Sequence, residues 1–171
     1  RDPDAPRVPI IKHSDVRRML LFQKAVVEGM RAFAYRLAMF EDLAHAHPDA
    51  EKRTYYQGFV DIMTPIIKAY CSDMGFESAS TAMQCYGGYG YCQEYPVEQY
   101  CRDSRIAMIF EGTNFVQSAD LIGRKLNIGG GILMQNYMGY LDEFINGLKG
   151  DGEISKMAKQ LDEAKNTLLQ T

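Results

Sequence analysis

Two short segments hold the residue types that could do chemistry. Gln84-Cys85-Tyr86-Gly87-Gly88-Tyr89-Gly90-Tyr91 is a glycine-rich turn, and Ile109-Phe110-Glu111-Gly112-Thr113-Asn114 follows it further along the chain. Glycine carries no Cβ, so backbone amides in such a turn can approach a ligand and donate to a phosphate oxygen. The Gln84 amide, one turn earlier, could hydrogen-bond a nucleotide or a pyrophosphate. Glu111 follows the apolar run Ile106-Ala107-Met108-Ile109-Phe110. A carboxylate desolvated by such neighbours has a raised pKa and is a stronger base.

Each feature also has a structural explanation. The glycine cluster follows a helical pattern instead of opening one, so it is neither a P-loop nor a dinucleotide fingerprint. A helix C-cap with a tight turn accounts for it. Glu111 beside a helix start could equally be a surface carboxylate favoured by the helix dipole.

The elements that must position these residues read as helices. Residues 1–13 are proline- and charge-rich and form an extended lead-in. Ser14 or Asp15 caps a helix running to about Ala46, whose Met19, Phe22, Val26, Met30, Phe33, Leu37 and Phe40 step by three or four. Methionine on such a stripe is core filler, which accounts for the chain's ten methionines better than a cofactor box does. His47-Pro48-Asp49 breaks the chain, and a second helix starts near Ala50, with Pro65 restarting or kinking it. Ile66, Ile67, Tyr70, Cys71 and Met74 continue its stripe towards Tyr86, where Gly87, Gly88 and Gly90 end it.

Pro96 opens a short helix through Asp103. Thr113 or Asn114 is the N-cap of another, ending near Leu126. Asn127 to Gly131 forms a flexible joint. A further helix carries Leu133, Tyr137, Tyr140, Leu141, Phe144 and Leu148, and Gly150-Asp151-Gly152 stops it. In the last segment Ile154, Met157, Leu161, Ala164 and Leu168 form a narrow seam, and the chain ends inside that helical pattern. No strand-type alternation of useful length occurs. The expected fold is all-α, an antiparallel helical bundle.

The 171 residues suffice for one domain with a real core. A net charge of −3 with interspersed signs gives no electrostatic case for nucleic acid or an anionic membrane. No apolar run reaches the roughly 20 residues of a membrane span, and residues 1–7 lack the apolar core of a signal peptide. A soluble, cytoplasmic protein is expected. Cys71, Cys85, Cys92 and Cys101 lack metal-binding spacing and are expected to be reduced thiols. His45 and His47 point in different directions on a helix, so no metal site is expected.

Taken together, the motifs resemble those of the acyl-CoA dehydrogenase family, over roughly Thr64 to Leu126. Gln84, Gly87, Gly88, Gly90 and Tyr91 match a Gln-x-x-Gly-Gly-x-Gly-Tyr signature. Arg102, Asp103, Arg105, Ile106, Glu111, Gly112 and Thr113 match Arg-Asp-x-(Arg/Lys)-Ile followed by Glu-Gly-Thr. Asp120-Leu121-Ile122-Gly123-Arg124-Lys125-Leu126 is similar to a longer branch with an extra C-terminal helical region, which includes methylmercaptopropionyl-CoA dehydrogenase-like proteins. The resemblance implies a C-terminal helical bundle over residues 14–126 and the start of an extension over 127–171.

It also implies an FAD-dependent α,β-dehydrogenation of an acyl-CoA thioester, with Glu111 as the catalytic base. Gln84, Gly87 and Gly88 match positions that contact the FAD of a neighbouring subunit. Thr113 and Asn114 match contacts to the subunit's own FAD, and Gly112 lies beside the substrate's thioester end. Phe115 departs from the pattern, standing where the family often has Gln or Glu. The implied partners are an acyl-CoA substrate, an electron-transfer flavoprotein or similar acceptor, and further copies in a homodimer or homotetramer. The family's N-terminal helical and middle β domains are absent from this sequence, so a C-terminal fragment, inactive alone, is expected. Two alternatives stay open: an acyl-CoA oxidase-type flavoenzyme, and a non-catalytic helical assembly module.

Overall fold

A computed structural model of the chain describes residues 5–148, 150 and 152–170. Among them there are six α-helices and no strand: α1 Ser14–Ala46, α2 Ala50–Tyr86, α3 Val97–Ile106, α4 Asn114–Gly123, α5 Ile132–Gly147 and α6 Glu153–Leu168. The all-α expectation holds. By backbone proximity the chain divides into two compact units, Arg1–Met39 with Met63–Asp120 and Phe40–Ile62 with Leu121–Thr171.

The first unit carries both chemical segments. Ahead of α1, Ile10–Lys12 form a single 3₁₀ turn within the otherwise irregular lead-in. Met19 is buried on α1, while Phe22, Val26, Met30, Phe33 and Leu37 are partly covered. The Gln23 side chain reaches the Cys85 thiol at 3.7 Å, tying the start of α1 to the end of α2. Pro65 does not restart α2, which runs unbroken through it. The stripe expected after Pro65 is only partly inside: Ile66 and Tyr70 are exposed, and the buried positions are Met63, Pro65 and Ser72.

The α2 helix ends at Tyr86, as its glycines require, and Gly87–Tyr91 wind into a 3₁₀ turn. Gly90 is the tight point of that turn. A Cβ there would lie 2.5 Å from the Met83 carbonyl oxygen and 2.9 Å from the Tyr86 Cβ. Around Gly88, by contrast, a Cβ would meet nothing within 4 Å. Pro96 stands just before α3, which extends to Ile106, three residues past the expected Asp103. Glu98 and Arg102 pair across one turn of α3 and support that extra length.

In the second unit, α1 reverses into α2 at His47-Pro48-Asp49. Asp49 Oδ1 accepts the Glu51 backbone N–H at 2.8 Å, an N-cap for α2. Arg53 closes the turn by donating to the His47 carbonyl at 2.7 Å. Phe40 and Phe59, both fully buried, meet edge-to-face with centroids 5.0 Å apart. Tyr140 of α5 packs against both, at 5.5 Å and 5.3 Å. Gly58 leaves room for Leu133, whose Cδ2 would sit 2.8 Å from an added Cβ.

The fourth helix stops at Gly123, short of the expected Leu126. Asn127 Nδ2 donates to the Ile122 carbonyl at 2.9 Å, capping α4 early. Lys125–Gly130 then form a 3₁₀ stretch broken at Ile128 and Gly129. The expected apolar faces of α5 and α6 are only partly used, because Phe144, Ile154, Met157 and Leu168 are exposed. The buried residue of α6 is Lys165, which donates to Asp142 of α5 and lies 2.8 Å from Asp162. These hydrogen bonds raise the Lys165 pKa and lower that of Asp162. Of the stop at Gly150-Asp151-Gly152, Asp151 lies outside the described residues.

Two substitutions test this packing. Truncating Phe59 to Ala should cost about 3–5 kcal/mol, read as a lowered midpoint in chemical unfolding. Gly90→Ala should destabilise by about 1–3 kcal/mol, since backbone must move to admit the methyl group, whereas Gly88→Ala should leave the midpoint unchanged.

Candidate active site

The connection between α3 and α4 presents the carboxylate. Beyond Ile106 the chain keeps turning: Ile109 and Phe110 N–H both donate to the Ile106 carbonyl, at 2.9 Å and 3.0 Å. It then enters left-handed backbone at Glu111, φ 54°, and Gly112, φ 91°. Glu111 is the one non-glycine residue with positive φ among those described. That conformation costs a residue with a Cβ about 1–2 kcal/mol, so it persists only where neighbours enforce it.

The enforcing groups come from α2 and α4. Gln117 Nε2 donates to the Glu111 carbonyl at 3.1 Å and to the Gly112 carbonyl at 3.3 Å. Lys68 Nζ, from α2, also donates to the Gly112 carbonyl. Gly112 accepts no side chain, since a Cβ would meet the Gln117 amide nitrogen at 2.7 Å and Val116 Cγ1 at 3.2 Å. One residue on, the Gln117 N–H donates to the Thr113 carbonyl at 3.0 Å, starting α4.

Thr113 is exposed beside this turn. Asn114 is committed inward: its Nδ2 donates to Asp73 Oδ2 at 2.7 Å. The other oxygens of both side chains, Asp73 Oδ1 and Asn114 Oδ1, are buried without a hydrogen-bond partner. A buried acceptor left bare is a costly feature and calls for a donor.

The apolar run before Glu111 does not bury it. Glu111 is exposed, and Ile106, Ile109, Phe110, Phe115 and Val116 around it in sequence are exposed too, Phe115 by 81%. The expected desolvation is therefore not achieved by these residues themselves. Those apolar side chains that flank Glu111 in sequence are themselves about half exposed or more.

Gln84 lines a groove of about 470 Å³ with Arg18, Met19, Phe22, Glu77, Ser80 and Thr81, and Glu111 is not part of its lining. Gly87, with φ 63°, and the open Gly88 continue from that end of α2. A second cavity of about 720 Å³ joins the far end of the glycine turn, at Tyr91, to Ile106 and Ile109, with Arg102 and Arg105 on its wall. The Arg105 guanidinium lies 5.6 Å from the Phe76 ring centre. The implied site residues thus fall into a Gln84 group, which lines a groove, and a Glu111 group that does not line it. Sequence reasoning missed Lys68, Asp73 and Gln117. The available signal for Lys68 was a single cation inside the apolar run Ile66-Ile67-Lys68-Ala69-Tyr70-Cys71.

Comparison with known proteins identifies the family. Residues 1–126 match the family described as acyl-CoA dehydrogenase, C-terminal domain. A butyryl-CoA dehydrogenase of Syntrophomonas wolfei is 40% identical over 99% of this chain and 28% of its own length. A 3-methylmercaptopropionyl-CoA dehydrogenase of Ruegeria pomeroyi is 38% identical over 92% of the chain and 27% of its own length. A broad-specificity linear acyl-CoA dehydrogenase of Mycobacterium tuberculosis is 36% identical over 90% and 25% respectively. The chain spans about a quarter of the length of these relatives. With its Glu-Gly-Thr turn and its glycine-rich helix end on an all-α frame, the chain belongs to the acyl-CoA dehydrogenase family, matching that family's C-terminal domain.

Proposed function

We propose that this chain supplies the catalytic base and part of the flavin site of an acyl-CoA dehydrogenase, whose remaining pocket comes from the rest of a longer protein. The observation that carries the reading is Glu111, held in left-handed backbone between α3 and α4 with uncovered apolar side chains beside it. A cover laid on those side chains would desolvate the carboxylate and strengthen it as a base.

The Glu111 carboxylate takes the proton from the α carbon of the acyl-CoA thioester. The electron pair of that C–H bond becomes the new α,β double bond, and the β hydrogen departs as hydride. FAD, when bound, supplies the hydride acceptor and polarises the thioester, so a single carboxylate suffices. Gly112 is assigned to the thioester end of the substrate; its missing Cβ leaves room for the Gln117 amide that holds the turn beside it.

The residues present fit a flavin. Gly88 leaves clear space where a Cβ would stand, and Gln84 offers an exposed amide in its groove. Gln84, Gly87 and Gly88 are assigned to a neighbouring copy's FAD, in a homodimer or homotetramer; that Gln84 lines a groove Glu111 does not share accords with that division. Thr113 and Asn114 are assigned to the chain's own FAD. Asn114 would contribute backbone rather than its carboxamide, whose Nδ2 is bonded to Asp73 and whose Oδ1 is buried.

The relatives named for butyryl-CoA and 3-methylmercaptopropionyl-CoA favour a short linear acyl thioester as substrate. Fatty-acid-type oxidation and an electron-transfer flavoprotein or similar acceptor belong to the same reading and rest on the family resemblance alone. Residues 14–126 would be the family's helical domain and residues 127–171 an extension of the longer branch. The cytoplasmic setting in this reading rests on composition alone.

Anaerobic mixing of the full-length, FAD-loaded protein with short acyl-CoA thioesters should bleach the flavin absorbance. Glu111→Gln should retain flavin and thioester binding yet lose that bleaching by more than about tenfold, and turnover closer to wild type would reject the base assignment. Gly88→Val should lower the flavin retained on purification; unchanged content would count against the glycine turn as a flavin contact.

A further inference from the structure

We propose that Lys68 and Gln117 are positioning residues for Glu111, together clamping the left-handed turn that aims its carboxylate; this rests on Glu111 being the base. The turn has two consecutive carbonyls, Glu111 and Gly112, that no helix ladder satisfies. Gln117, one turn into α4, bridges both with one amide nitrogen, at 3.1 Å and 3.3 Å. Lys68 donates to the Gly112 carbonyl from α2, so the clamp draws on two helices, α2 and α4. The Lys68 bond is charge-assisted, the stronger class of hydrogen bond.

The chemistry needs such a clamp. A general base must come within hydrogen-bond reach of the proton it takes, and misplacement by about 1 Å can cost about a hundredfold in rate. The Cα–Cβ direction of Glu111 follows its φ, and φ 54° is the region a Cβ-bearing residue leaves when released. Losing either donor frees the peptide to turn over, which swings the carboxylate away without touching flavin or thioester contacts. Gly112 completes the arrangement, because a Cβ there would occupy the place of the Gln117 amide.

The test uses the full-length, FAD-loaded protein and single-turnover flavin bleaching by a reactive short acyl-CoA. Lys68→Gln and Gln117→Leu should each slow bleaching by about tenfold or more, with flavin content and acyl-CoA affinity within about threefold of wild type. Lys68→Arg, which keeps a charged donor, should restore the rate to within about threefold. Bleaching at the wild-type rate in both deletion variants overturns the clamp. So does a loss matched by equal weakening of flavin or thioester binding, which marks a merely structural role. If Lys68→Gln does not fold, Gln117→Leu and Lys68→Arg decide by the same criteria. Glu111→Gln, run alongside, separates the two levels: an inert Glu111→Gln with normal Lys68 and Gln117 variants rejects the clamp alone. An active Glu111→Gln rejects the base and the clamp together.

Discussion

The left-handed step at Glu111 and Gly112 is the constraint on which the functional end of this chain depends. A helix that simply continued from α3 would bury its carbonyls in its own ladder and point residue 111 along its surface. Here the chain reverses its local hand between α3 and α4, which exposes two carbonyls and turns the carboxylate outward. That geometry is stable only because α2 and α4 bring donors to those carbonyls. The conserved need of any buried polar backbone, to find a partner, thus doubles as the device that sets the side chain's direction.

The same pair of helices is joined a second time, by Asn114 on α4 and Asp73 on α2. Lys68 and Asp73 are five residues apart on α2, so this helix holds both the carbonyl of the turn and the first residue of α4. The glycine-rich end of α2 follows about three turns further along the same helix. A single long helix therefore supports the Glu111 turn at its middle and presents the Gln84–Gly88 segment at its end.

Much of the first unit's surface is apolar around these features, with Tyr91, Ile109, Phe110, Phe115 and Val116 all exposed. Patches of this kind mark contact surfaces rather than solvent-facing ones. They accord with a chain that spans about a quarter of its relatives' length, and under the proposed function they would wall in Glu111 once covered. The second unit depends instead on an aromatic core, in which Phe40, Phe59 and Tyr140 fill space that Gly58 helps to open to Leu133. Lys165, buried and held by two aspartates, takes the place that an apolar seam residue was expected to fill on α6.

The sequence by itself determined the helical class, the starts of the first four helices to within a residue or two, the break at His47-Pro48-Asp49, the end of α2 before Gly87 and the family to which Glu111 and Gln84 belong. Those are local properties: periodicity, caps and glycine act over a turn or two, and the family motifs are contiguous. What only the tertiary structure decided is non-local. Whether Ile66, Phe144 or Ile154 is buried depends on which helix lies against it, and periodicity cannot name the partner. The length of α4 turned on a side chain, Asn127, reaching back to Ile122. The exposure of Glu111, despite its apolar neighbours, reflects what covers those neighbours and not what they are. Lys68 entered the site from more than forty residues away because only folding sets an ammonium beside the Gly112 carbonyl.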